Sequence, residues 1–152
     1  MNRLYSLNMK IALREAESAV PRDEVPVGAV IVDGNSGKII ARASNRVEQL
    51  HDPTAHAEIL AIRKACAVLG QKRLEGCDIY VTLEPCTMCA GAISHARLRR
   101  LYFGAMDIKG GAVENGVKFF DHSSCHHVPE IYGGIQETES HKLLTAFFRN
   151  KR

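Results

Sequence analysis

Leu4, Leu7, Ile11, Ala12 and Ala16 recur near helical spacing among charged residues, with Pro21 close behind, so residues 4–19 read as an amphipathic helix. The apolar runs at 25–32 and 38–43 flank Asp33-Gly34-Asn35-Ser36-Gly37, a turn signal, and together read as a β-hairpin. After Asp52-Pro53, Thr54 is suited to cap a helix that carries Ile59, Leu60, Ile62 and Arg63 and ends near Gly70, with His56 and Glu58 in its first turn. An apolar strand at 78–83 runs into Glu84-Pro85, where the proline suits the opening position of another helix bearing Cys86 and Cys89, and a further strand follows at 98–103. Glycine and polar residues break the periodicity over 104–129. Leu143, Leu144, Phe147 and Phe148 restore helical spacing over 140–149, ahead of the basic cluster Arg149, Lys151 and Arg152. Strands alternating with helices, without repeats or a low-complexity linker, predict one α/β/α domain over residues 1–152 with a mainly central sheet.

Composition sharpens this only in places. A length of 152 residues, 45% apolar and 24% charged, is that of one compact domain. No stretch approaches the roughly 18 consecutive apolar residues of a membrane span, and the opening residues lack a secretory apolar run, so a soluble, cytoplasmic protein is expected, with no membrane partner. Five unevenly spaced cysteines fit a reducing compartment better than a disulfide framework and raise metal ligation instead. The net charge of +3 permits an anionic partner without arguing for one.

The chemistry concentrates in His56-Ala57-Glu58 and, thirty positions after the histidine, Pro85-Cys86-Thr87-Met88-Cys89. One imidazole and two thiolates suit Zn²⁺, and three protein ligands leave the fourth tetrahedral position open, the mark of a catalytic rather than a structural site. Cys86 and Cys89, three apart, share a helix face at an N-terminus whose N–H groups and dipole favour thiolates. His56 and Glu58, two apart, can serve one site only where the chain is entering its helix. Glu58 is then free for general acid–base work on a water that attacks an amino-substituted heterocycle, with loss of ammonia and no organic cofactor. Alone, each motif is weak: His-x-Glu is commonly a solvated helix start, and Cys-x-x-Cys serves redox sites and structural zinc knots. Jointly, in this order, they match the signature of zinc nucleobase deaminases.

With the blocks at 24–30, Asn45-Arg46, 51–58, 81–92 and Phe147-Phe148-Arg149, the chain resembles the bacterial tRNA-specific adenosine deaminases of the cytidine-deaminase-like superfamily over nearly its whole length. The resemblance implies a three-layer α/β/α fold with a central five-stranded mixed sheet, one Zn²⁺ per subunit, and a homodimer whose neighbouring subunit helps form the RNA site. It implies deamination of the wobble adenosine in the anticodon stem-loop of an arginine-accepting tRNA. By matching position, Asn45 would hydrogen-bond the flipped base or its ribose, and Val27, Ala55 and Glu84 would line the pocket wall. Asp107 and Lys109 would meet flanking sugars and phosphates, and Phe148 and Arg149 would add contacts from the terminal helix. Each has a plainer alternative: Asp107 as a turn cap, Phe148 as core, the basic end as a solvated helix terminus. Met106, immediately before Asp107, and the segment Ser123-Ser124-Cys125-His126-His127 depart from some relatives. Three consecutive donors in that segment rarely converge on one ion, and Cys66 and Cys77 read as packing residues. Two other functions compete: deamination of a free base such as cytosine or guanine, and a catalytically silent RNA-binding module with structural zinc, which would leave Glu58 unexplained.

Overall fold

The computed structural model of the chain describes residues 2–151; Arg152 of the basic terminus lies outside them. Five strands form one sheet in the order β2-β1-β3-β4-β5, comprising β1 (Gly28–Asp33), β2 (Ile39–Ser44), β3 (Cys77–Leu83), β4 (Arg100–Ala105) and β5 (Glu130–Tyr132). β1 pairs antiparallel with both β2 and β3, while β3, β4 and β5 run parallel. The expected five-stranded mixed sheet is therefore present. Helices α1 (Asn2–Ala19), α3 (Ala57–Leu69), α4 (Thr87–His95) and α5 (Glu137–Arg149) flank it, and α2 (Val47–Leu50) is a single turn.

Strand alternation sorts the core into two layers. Ala29, Ile31, Ile79, Val81, Leu101 and Phe103 point to the side covered by Ala57, Ala61 and Ala65 of α3 and Ala90 and Ile93 of α4. Val30, Val32, Tyr80 and Tyr102 point the other way, onto Met9, Ala12 and Leu13 of α1. On that second side α1 lies almost on the backbone of β1. A Cβ on Gly28 would sit 2.0 Å from the Ala12 carbonyl oxygen and 2.6 Å from the Ala16 nitrogen. Gly28→Ala is therefore expected to cost about 2 kcal/mol, the scale of an overpacked core. Urea denaturation checks this, and an unchanged midpoint would mean that α1 lifts away freely.

Several element boundaries differ from the sequence pattern, each for a local reason. Thr54 does not cap α3: its N–H and Oγ1 both donate to Asp52 Oδ1, at 2.8 and 2.7 Å. A turn closed by the Ala55 N–H on the Asp52 carbonyl at 3.1 Å delays the helix, so that His56 occupies the N-cap with φ −73° and ψ 153°. Pro85 does not open α4 either; Cys86 is the N-cap and Pro85 stands before it, its carbonyl accepting the Ala112 N–H at 2.9 Å. β1 starts at Gly28 rather than at residue 25, because Val25 and Pro26 are taken up in a turn closed by Val27 N–H on the Val25 carbonyl. β5, three residues long at the sheet edge, lies in chain too short to show alternation.

Candidate active site

Both metal-ligand motifs sit where an extended segment turns into a helix on the same side of the sheet. His56 is the N-cap of α3 and Cys86 that of α4, with Cys89 in the first turn of α4. His56 Nδ1 lies 3.6 Å from Cys86 Sγ and 3.5 Å from Cys89 Sγ, and the three donor atoms all fall within 4.8 Å of one another. Such a spacing surrounds a point that one ion can occupy, and one nitrogen with two sulfurs is a zinc-type donor set. The residues therefore fit Zn²⁺. Among the described residues no second group of three such donors converges. In the 123–127 segment, Cys125 Sγ instead meets Ser94 Oγ and the His127 carbonyl, and His127 Nε2 meets the Leu98 carbonyl.

The electrostatics of the cluster show how tightly the donors compete for protons. A hydrogen bond from Cys89 holds the Cys86 thiol down to about 4; burial opposes the shift, and hydrogen bonds from His56 and the Cys89 N–H assist it. The same Cys86–Cys89 contact, joined by burial, pushes the Cys89 thiol up. Glu58, 4% exposed, is the second residue of α3. Burial pushes its carboxyl above the ordinary carboxylate range, against the opposing pull of its own backbone N–H and the charge of His56. A carboxyl whose proton affinity is raised by burial beside a metal-type donor set is suited to accept a proton and return it.

Above these groups opens a cavity of about 920 Å³. His56, Glu58 and Cys86 line it from one side, with Val27, Asn45, Glu84, Asp107 and Phe148 around them. Asn45 is held by its backbone, its N–H donating to the Val27 carbonyl at 3.1 Å and its carbonyl accepting from Arg22 at 3.3 Å. Asp107 borders the cavity while also capping its own turn, since its Oδ1 accepts the N–H groups of Lys109 and Gly110. Phe148 stays half exposed beside the buried Phe147. Ala55, Lys109 and Arg149 are not among the lining residues: Ala55 is fully buried beneath the wall, and the other two are exposed beyond it.

Sequence reasoning missed Arg22, Glu24 and Asn115. Glu24 is fully buried and accepts the Glu48 and Gln49 N–H groups, at 3.0 and 2.8 Å, fixing the turn of α2 at the cavity rim. Arg22 reaches the Ser44 hydroxyl at 2.6 Å and so ties the end of β2 to the segment before β1. The one available signal was a carboxylate directly before the apolar stretch Val25-Pro26-Val27.

One five-stranded sheet between helical layers, carrying an open histidine–cysteine–cysteine centre with a buried glutamate beside it, defines a zinc-dependent hydrolytic deaminase. Residues 3–105 match the family described as the cytidine and deoxycytidylate deaminase zinc-binding region, and the chain belongs to that family. It is 62% identical over 144 residues to a tRNA-specific adenosine deaminase of Agrobacterium fabrum, covering 95% of this chain and 93% of that one. A structure solved in a study of A-to-I editing by tRNA:A34 deaminases at the wobble position of transfer RNA superposes with a TM-score of 0.88 at 61% identity, covering 90% of this chain and 98% of that one. A guanine deaminase from Bacillus subtilis is more distant, with a TM-score of 0.62 at 39% identity over 72% of this chain and 79% of that one. Among the described residues, no helix is long and apolar enough to cross a membrane.

Proposed function

We propose that this chain deaminates adenosine to inosine at the wobble position of a tRNA anticodon, acting in the cytoplasm on an arginine-accepting tRNA. Its bound element is the anticodon stem-loop, and a second copy of the chain completes the RNA surface. The observation that carries this reading is the position of Glu58, buried beside the His56, Cys86 and Cys89 donors where they meet the cavity. At about 920 Å³ the cavity is near the upper end of sites that hold a whole drug-sized ligand, leaving room for nucleotides on either side of one flipped base. The 62% identity to a tRNA-specific adenosine deaminase supports the same substrate.

His56, Cys86 and Cys89 would hold the zinc ion, which when bound would supply Lewis-acid activation of a water. Glu58 carries the protons. Its carboxylate takes one from the water as the oxygen bonds to C6 of adenine, and passes it to ring N1. It then transfers the second hydroxyl proton to the exocyclic nitrogen as the C6–N bond breaks, so that ammonia leaves and the 6-oxo base of inosine remains. Asn45, fixed by its backbone at the rim, presents its amide to the base or ribose. Burial of Glu58 excludes bulk water from the proton path.

The test is incubation of the zinc-loaded protein with an anticodon stem-loop containing a wobble adenosine, followed by digestion and nucleoside analysis, with Glu58→Ala in parallel. Inosine from the wild type alone is expected. Turnover of free guanine or cytosine, with none of the stem-loop, would overturn the reading in favour of a free-base enzyme.

A further inference from the structure

Glu84 borders the cavity, yet both of its carboxylate oxygens are taken up by the chain's own loop. Oε1 accepts the Asp107 N–H at 3.0 Å and the Asn115 side-chain N–H at 2.7 Å. Oε2 accepts the N–H groups of Val113, Glu114 and Asn115 at 3.0, 2.9 and 3.0 Å. Five donors surround one side chain that is 2% exposed, and no cation pairs with it among the described residues. The loop is shaped to admit it: a Cβ on Gly111 would lie 2.5 Å from Glu84 Cδ. Successive N–H groups folded around an anion form a nest, normally met by a phosphate or other external ligand. Here the occupant is internal and comes from the residue two before Cys86.

The loop so held carries Met106, Asp107, Ile108 and Lys109, whose crest is open to solvent, with Ile108 83% exposed. Nothing else in this stretch is anchored by regular secondary structure between the end of β4 and the short turn at Phe119–Asp121. We infer that Glu84 is a positioning residue: its carboxylate is the internal anchor that fixes residues 106–116 in the shape with which they meet RNA flanking the reacting base. This rests on the RNA reading above for the identity of the substrate, though not for the anchoring itself. The anchor joins two requirements in one segment, since the same short stretch delivers Cys86 to the donor cluster and fixes a loop that borders the same cavity through Asp107.

Glu84→Gln tests it with little change of shape. The new amide can keep one oxygen on Val113, Glu114 and Asn115, and Asn115 can turn its own amide to accept from the other side. The Asp107 N–H then faces a donor and loses its partner. Amide hydrogen exchange should accelerate at Asp107 by about tenfold or more, the equivalent of one lost hydrogen bond to a charged group, while the 113–115 amides change less. KM for the stem-loop should rise by about the same factor, with kcat within about twofold of wild type and zinc still one per chain. Asn115→Ala, which removes one of the five donors and leaves the carboxylate in place, should raise KM by only about twofold. Unchanged exchange at Asp107 would overturn the anchor. A fall in kcat at constant KM would assign Glu84 to the reacting atoms instead, and loss of zinc would assign it to the support of Cys86; either overturns the inference. If the wild type fails to act on RNA, the substrate reading falls, while the exchange experiment still decides whether Glu84 holds the loop.

Discussion

Glu58→Gln is expected to reduce deamination at least about 10³-fold while zinc stays bound at one per chain. General acid–base transfer by one positioned side chain is ordinarily worth about 10² to 10⁴-fold, and here a single carboxyl serves the water, the ring nitrogen and the departing amine in turn. The substitution preserves volume in a residue only 4% exposed and leaves His56, Cys86 and Cys89 as they are, so folding and metal content should survive. Binding of the stem-loop should stay within a few-fold of wild type, because the Glu58 carboxyl moves protons rather than gripping the nucleotide. Metal analysis, stem-loop binding and single-turnover inosine formation, measured together, check it. Activity within tenfold of wild type would remove Glu58 from the proton path.

The second large effect is expected at the metal centre. Cys89→Ala should take the protein from one zinc per chain to nearly none and abolish inosine formation, with a fall in melting temperature. Cys89 is fully buried in the first turn of α4, and its sulfur is one of the three donors that converge among the described residues. Removing it leaves a nitrogen and one sulfur, two short of a tetrahedral shell. Dialysis of the wild type against a chelator should reproduce the loss of activity, and added Zn²⁺ should restore it in the wild type and not in Cys89→Ala. Because bound metal stabilises only the folded state, the melting temperature of the wild type should also drop on chelation and recover with zinc. A variant that retains stoichiometric zinc would show that the third donor lies elsewhere.

The legibility of this fold in its sequence varied with the kind of force that shapes each part. The sheet and its long helices follow from periodicity, because Ala29 and Ile31 must face one helical layer and Val30 and Val32 the other. The donors were equally plain, since few arrangements other than a metal site bring one histidine and a Cys-x-x-Cys pair to helix starts. What periodicity could not reveal was set by single polar side chains. Asp52 draws in Thr54 and thereby moves the cap of α3 to His56. Glu24 and Glu84 fold backbone around themselves at two sides of the cavity, and neither leaves a repeating pattern. Glu84 shows the difference most clearly: its position near the site followed from resemblance, whereas the direction of its oxygens needed coordinates.

His56 and Cys86 are 30 residues apart and occupy the starts of two separate helices. Neither helix alone can present more than two donors, so a nascent or partly folded chain offers the ion only a fragment of its shell. The strands beneath must first bring α3 and α4 side by side. Capture of the metal therefore reports completed long-range assembly, and scarcity of zinc would be felt as a shortage of matured enzyme in a pool of chains already synthesised.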